Sequence, residues 1–161
     1  MDKSKRIILS GKAASGKDHL RKVYESRGFK YAVSYTTRPP REGEVEGKDY
    51  HFISEDQFKE MGRNDEWYEY VPFNGWYYGT SKDQFYGADL FIMTPKGISK
   101  INDYDRRTSF IIYVDIPEHT RRVRLSGREM LGDTLDRRLE ADYHDFKHFT
   151  DFDLRVCNPD F

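Results

Sequence analysis

Gly11, Gly16 and Lys17 stand in the run Gly11-Lys12-Ala13-Ala14-Ser15-Gly16-Lys17, a G-x-x-x-x-G-K spacing whose chemistry is the cradling of phosphate. Glycines let the backbone curl until successive N–H groups point at phosphate oxygens. A following helix adds the positive end of its dipole, and the lysine reaches the terminal phosphates. The plain alternative is an ordinary glycine turn. The next residue is Asp18, where the hydroxyl of a Ser or Thr normally reaches magnesium. A carboxylate there repels a triphosphate unless it holds the cation itself, as hard oxygen ligands do. Asp18 is therefore expected to help bind Mg2+, directly or through water.

A second constellation is Ser34-Tyr35-Thr36-Thr37-Arg38-Pro39-Pro40-Arg41, with a phenol-rich stretch behind it. Two arginines three apart, with a tyrosine nearby, can surround a phosphate monoester with planar forks and a hydroxyl donor. The bland reading makes Arg38 and Arg41 solvated loop charges and the tyrosines packing residues. Packing is the expectation for Tyr68 and Tyr77. Two arginines in a Pro-Pro loop with no evident partner favour the phosphate reading.

Regular elements must bring these groups together. Ile7-Ile8-Leu9 before Ser10-Gly11 reads as a buried strand entering the phosphate loop. Leu20, Val23 and Tyr24 share one face of a helix over about Lys17 to Ser26, which Gly28 stops. A second strand is expected around Tyr31 to Tyr35, feeding a polar loop from Arg38 to Asp49. Ser54-Glu55-Asp56-Gln57 has the spacing of a capping box. Glu66 to Phe73 and Trp76 to Tyr78 flank Asn74-Gly75, a strong hairpin signal. Asp89 to Met93 and Ser109 to Ile116 read as core strands, the latter followed by Pro117 in the first turn of a helix. A helix over about Leu135 to Phe149 and a strand from Leu154 to Cys157 complete the pattern. Such alternation predicts an α/β protein, with a mostly parallel sheet covered by helices and the aromatic hairpin region inserted into it.

The chain of 161 residues fits one domain. Its 27 basic and 28 acidic side chains nearly cancel, so nothing draws it globally to nucleic acid or anionic membrane, and any anion site must be local. One cysteine, Cys157, cannot form an internal disulfide and is expected to be a core residue. The N-terminal residues lack the apolar stretch of a signal peptide, and no apolar run nears the roughly 20 residues that span a bilayer. The cytoplasm is the expected compartment. His144 and His148 have the spacing of a metal pair on a helix, but no third ligand suits them, and a solvated face is expected.

Ser34 to Arg41, with Gly43-Glu44-Val45-Glu46-Gly47-Lys48-Asp49-Tyr50-His51-Phe52, closely resembles the GMP-binding segment of guanylate kinases. So does Glu66-Trp67-Tyr68-Glu69 through Asn74-Gly75-Trp76-Tyr77-Tyr78-Gly79-Thr80-Ser81. These blocks and the phosphate loop keep the family's order over about the first half of the chain. The resemblance implies a P-loop NTPase-like parallel sheet flanked by helices, with an inserted aromatic-rich antiparallel GMP-binding region and a short lid. It implies one domain over residues 1–161, with its core at about 1–33 and 88–161, the insertion at about 34–87 and the lid at about 127–134. The implied activity moves the γ-phosphoryl group of ATP to GMP or dGMP, with Mg2+.

By resemblance Arg38, Arg41, Tyr50 and Tyr78 would hold the acceptor phosphate. Glu69 would read guanine's ring N–H and exocyclic amine, with the Ser34 and Thr80 hydroxyls donating to the purine carbonyl edge. Gly11, Ala13, Ala14, Ser15, Gly16, Lys17 and Asp18 would hold ATP, with Arg124 and Asn158 beside it. Lys17, Arg128 and Arg138 would be the catalytic cations; for Arg121, Arg122 and Arg137 a solvated face is expected. The family's strand-end Asp-x-Asp is replaced by Ile92-Met93-Thr94, where Thr94 can supply a hydrogen bond to the base but no charge. Two alternatives stay open: a binding module without turnover, favoured by the lost acids, and a kinase of altered base choice, such as a compact phage-type deoxynucleotide kinase. Oligomeric state is not legible.

Overall fold

A computed structural model describes residues 5–128 and 134–161. In chain order the strands are β1 (Arg6–Gly11), β2 (Tyr35–Thr36), β3 (His51–Phe52), β4 (Trp67–Phe73), β5 (Trp76–Ser81), β6 (Leu90–Ile92), β7 (Ser109–Val114) and β8 (Leu154–Val156). The helices are α1 (Lys17–Ser26), α2 (Glu55–Arg63), α3 (Lys82–Gly87), α4 (Pro95–Ile98), α5 (Asp103–Arg107), α6 (Glu118–Ser126) and α7 (Leu135–Phe146).

Ile7, Ile8 and Leu9 are all buried, which marks β1 as an interior strand covered on both faces. It pairs in parallel with β6 and β7, and β7 with β8, giving the order β6-β1-β7-β8. Because side chains alternate along a strand, Ile8, Phe91 and Ile111 enter one core layer with Phe85 and Met93. Ile7, Leu9, Ile112 and Val114 enter the other, where Leu20 and Tyr24 of α1 pack. The phosphate loop thus leaves the end of a rigid central strand.

The second sheet has the order β3-β2-β5-β4, with β4 and β5 antiparallel. Their turn places Asn74 at φ 52° and Gly75 at φ 78°, the positive values a two-residue hairpin loop requires. The capping box forms as its spacing predicts: the Ser54 side chain accepts from Gln57 N–H and the Gln57 side chain from Ser54 N–H. Phe58 of α2 stacks on Tyr77, ring centroids 4.5 Å apart. Tyr68 stacks on Phe85, and its hydroxyl donates to the buried Asp105 at 2.7 Å. Asp105 also accepts from Tyr86 at 3.2 Å, Asn102 at 2.6 Å and Arg6 at 3.4 Å.

Three expectations change. Tyr31 to Tyr35 is no continuous strand; Tyr31 bridges to Leu90, and pairing resumes at Tyr35–Thr36 in the other sheet, because the segment crosses between the two. Arg121 is buried, not on a solvated face, since it has an acid to pair with in Asp142. Cys157 is exposed, because it follows β8 at a point where pairing has ended. Helices α3, α4 and α5 are only 6, 4 and 5 residues long and rest on the side-chain caps Ser81, Thr94 and Asn102. Arg122 and both histidines of the proposed pair are exposed as expected. Among the described residues, no helix is long and apolar enough to cross a membrane.

Candidate active site

Gly11 ends β1 hard against β7: a Cβ there would stand 2.6 Å from Val114 O and 2.7 Å from Ser15 Oγ. The chain then passes through left-handed conformations at Ala14 (φ 60°) and Gly16 (φ 99°) before α1 begins. That curl turns the loop's amides inward ahead of a helix N-terminus, the geometry of an anion cradle. Lys17 Nζ donates to Gly11 O at 2.5 Å and Lys12 O at 3.0 Å, so the ammonium lies folded over the loop. Burial brings its pKa down to about 8, although the carboxylates of Asp142 and Asp18 pull the other way. Asp18 is exposed in the first turn of α1, with Arg21 Nε 3.6 Å from its carboxylate.

Across the cleft, Arg38 is 4% exposed and fully engaged. Its guanidinium meets Glu44 in a two-pronged pair at 3.0 and 2.9 Å, and also donates to Tyr78 Oη at 3.2 Å and Pro39 O at 2.8 Å. The absence of a partner that favoured a phosphate role therefore applies to Arg41, whose Nε is buried without a hydrogen bond. Burial, then the charges of Arg38 and Arg138, lower the Arg41 pKa, so a bound anion there would relieve a standing repulsion. Tyr50 meets Tyr78 edge-on at 5.9 Å, and burial pushes its phenol up to about 12, keeping it a donor at neutral pH.

Glu69 lies on β4 next to a register irregularity between Trp67 and Glu69, which re-aims the strand locally. It is 7% exposed, and burial raises its pKa. Thr80 Oγ1 donates to Glu69 Oε1 at 2.8 Å. The two residues expected at the base edge are thus in direct contact across the hairpin. Thr94 Oγ1 accepts from Gly97 N–H at 3.1 Å and caps α4. Gly97 itself packs on the acid: a Cβ there would stand 3.1 Å from Glu69 Oε2.

The two cradles share one space. A cleft of about 430 Å³ is lined by Ala13 to Asp18, by Arg38, Arg41, Tyr50 and Tyr78, and by Arg124, Arg128 and Arg138. An adjoining cavity of about 180 Å³ adds Gly11, Ser34, Glu69 and Thr94, and again meets Lys17, Arg41 and Arg138. Of the residues given an ATP, GMP, metal or catalytic role from the sequence, all but Thr80 and Asn158 line one space or the other. Asn158 is exposed, its Oδ1 accepting from Asp160 N–H at 3.0 Å in a local turn. Arg124 donates to Ala14 O at 3.0 Å and Pro159 O at 3.2 Å, bracing the loop from α6. Residues 129–133 of the expected lid lie outside the described residues.

The family model for guanylate kinase matches residues 3–161. The chain belongs to the guanylate kinase family. The guanylate kinase of Wolinella succinogenes is 34% identical over 173 residues, spanning 99% of this chain and 80% of that protein. That of Lactobacillus acidophilus is 34% identical over 167 residues, spanning 98% and 82%. The crystal structure of guanylate kinase from Anaplasma phagocytophilum shares the fold, with a TM-score of 0.76 at 24% identity over 98% of this chain and 78% of that one.

Several residues of this guanylate kinase family member enter the cleft without having been singled out. Glu44 holds Arg38; its place six residues on, in the quoted Gly-Glu-Val-Glu-Gly run, was the signal available. Pro159, Phe161 and His19 line the donor side, with Phe161 so close to the loop that a Cβ on Gly16 would stand 2.8 Å from its Cζ. Asp142 and Asp145 bring two carboxylates from α7 to the cavity where Ile92 and Thr94 supply none. No spacing pattern points to them, since only the packing of α7 across the loop brings them there.

Proposed function

We propose that the chain transfers the γ-phosphoryl group of ATP to GMP or dGMP, giving ADP and the nucleoside diphosphate. The observation that carries this reading is that Lys17, Arg41 and Arg138 line both the larger cleft and the adjoining cavity, so donor-side and acceptor-side cations face one common space. An oxygen of the acceptor phosphate attacks the γ-phosphorus, the bond to the β–γ bridging oxygen breaks, and ADP leaves. Such a transfer needs positioning and charge stabilisation more than covalent chemistry. The loop amides and Lys17 would hold the donor, Arg41 with Tyr50 and Tyr78 the acceptor phosphate, and Arg128 and Arg138 the charge in transit. Arg38 joins them when Glu44 yields its fork. Glu69 would take guanine's donor pair, with Ser34 and Thr94 at the base edge.

Among the described residues no group of three His, Cys, Asp or Glu side chains is placed to hold a metal. Asp18 alone fits magnesium nonetheless, because this ion usually takes one or two carboxylates together with substrate phosphates and water. Mg2+ bound there would neutralise charge on the donor phosphates. The same reading treats residues 34–87 as the acceptor region of a single domain and the cytoplasm as its compartment.

The test is ADP formation from ATP and magnesium with GMP, dGMP, AMP or dTMP as the acceptor. Turnover confined to GMP and dGMP is expected. Tight GMP binding with no turnover of any acceptor would make the chain a binding module instead, and turnover favouring AMP or dTMP would overturn the base assignment.

A further inference from the structure

The arginines of the cleft are held in two different ways. Arg38 is engaged by the Glu44 carboxylate, and Arg124 by the carbonyls of Ala14 and Pro159. Arg138, at the start of α7, meets a ring instead: its guanidinium lies over Phe73, 4.8 Å from the ring centroid. Among the described residues that guanidinium has no acid or carbonyl partner. Phe73 is the last residue of β4, paired with Trp76 across the Asn74-Gly75 turn, and it meets Tyr78 edge-on at 6.1 Å. Tyr78 in turn meets Tyr50, so the ring continues the row of phenols assigned to the acceptor phosphate. Phe73 and Arg138 both line the smaller cavity, together with Lys17 and Arg41.

Three cations around one space repel one another, and a long arginine side chain left to itself would swing out to water. A carboxylate could hold it, but would occupy the N–H groups that a phosphoryl oxygen needs. The face of a ring attracts a guanidinium through its quadrupole and leaves the donors at the guanidinium's edge for another partner. We infer that Phe73 is a positioning residue of the transfer, its ring holding Arg138 at the shared cavity with N–H donors to spare for the phosphoryl group in transit. This role rests on the one given to Arg138 above.

The full chain without nucleotide gives the first readout. NMR should show nuclear Overhauser contacts between the Phe73 ring protons and the Arg138 Cδ protons, assigned by their loss in Arg138→Met. Phe73→Leu keeps apolar bulk and removes the ring; the Arg138 Cδ protons should move downfield there and stay in place in Phe73→Tyr. The second readout is ADP formation with GMP. Phe73→Leu should lower kcat about fivefold with the KM for GMP unchanged, and Phe73→Tyr should restore it. In an Arg138→Met background the same Phe73→Leu change should cost nothing more, because the ring acts through that arginine. Missing ring contacts in the wild type, an unmoved kcat in Phe73→Leu, or a further loss of similar size in the Arg138→Met background overturns the role. The wild-type contacts decide even where Phe73→Leu fails to fold. A wild-type chain that forms no ADP would defeat the kinase assignment itself, whereas one that forms ADP no faster than Phe73→Leu would defeat only the role of Phe73.

Discussion

The donor and acceptor sides of the cleft are built on opposite plans. The loop proposed for the donor is seven consecutive residues, Gly11 to Lys17, whose backbone curls toward the cleft and whose shape follows from two glycines and a left-handed alanine. The acceptor side is assembled from side chains spread between Ser34 and Thr94, and these hold one another: Glu44 holds Arg38, Thr80 holds Glu69, and Gly97 N–H holds Thr94. A cradle made of amides is set once the chain turns. A cradle made of side chains stays in place without ligand only if each charge already has a partner, and an arriving nucleotide must then replace some of those partners.

Variants can break that contrast, beginning with the donor side. Lys17→Met should lower kcat by about 10²–10³, the range found when one preorganised transition-state donor is removed, and initial rates of ADP formation check it. The wild-type rate should also fall as pH rises through about 8, where Lys17 loses its proton. Stability should move the other way. The folded pKa lies below the unfolded value of 10.5, so between about 8 and 10.5 the unfolded chain binds more protons and stability rises with pH. Thermal melts across that window should show the rise in the wild type and not in Lys17→Met.

On the acceptor side, Arg41→Met should raise the KM for GMP about tenfold or more, because Arg41 Nε is buried without a hydrogen bond. Glu69→Gln should cost about 1–3 kcal/mol of kcat/KM with guanine acceptors. An equal loss with every acceptor tested would remove its base-reading role. Glu44→Gln should have a smaller and divided effect. The fold loses about 1 kcal/mol, seen as a lower Tm, while a freed Arg38 lowers the KM for GMP. If KM rises instead, the pair with Glu44 is what shapes the site. The smallest effect belongs to Arg122→Ala, whose partners Glu118 and Asp136 are both exposed; its Tm should stay within about 2 °C of wild type.

What could be read in the sequence follows the same division. The loop, the capping box at Ser54 and the Asn74-Gly75 turn depend on neighbours within a few residues, and each forms as its spacing predicts. The two sheets follow from hydrophobic alternation and from the aromatic insertion. Misreadings arise where a distant partner decides. Arg121 is buried because Asp142, 21 positions away, pairs with it, a contact no local spacing announces, as none announces the bond between Thr80 and Glu69 across the hairpin. Asn158 Oδ1 accepts from Asp160 N–H in a local turn, and Pro159 and Phe161 beside it reach the cleft.

Asp105 carries a consequence for how the molecule comes apart. Its carboxylate takes bonds from Tyr68 of the hairpin sheet and from Arg6 on the central strand of the other sheet, with almost no exposure to water. Melting either sheet alone would strand that acid among unpaired donors. The two layers should therefore lose structure together, in one cooperative transition, although the strands of each pair only among themselves.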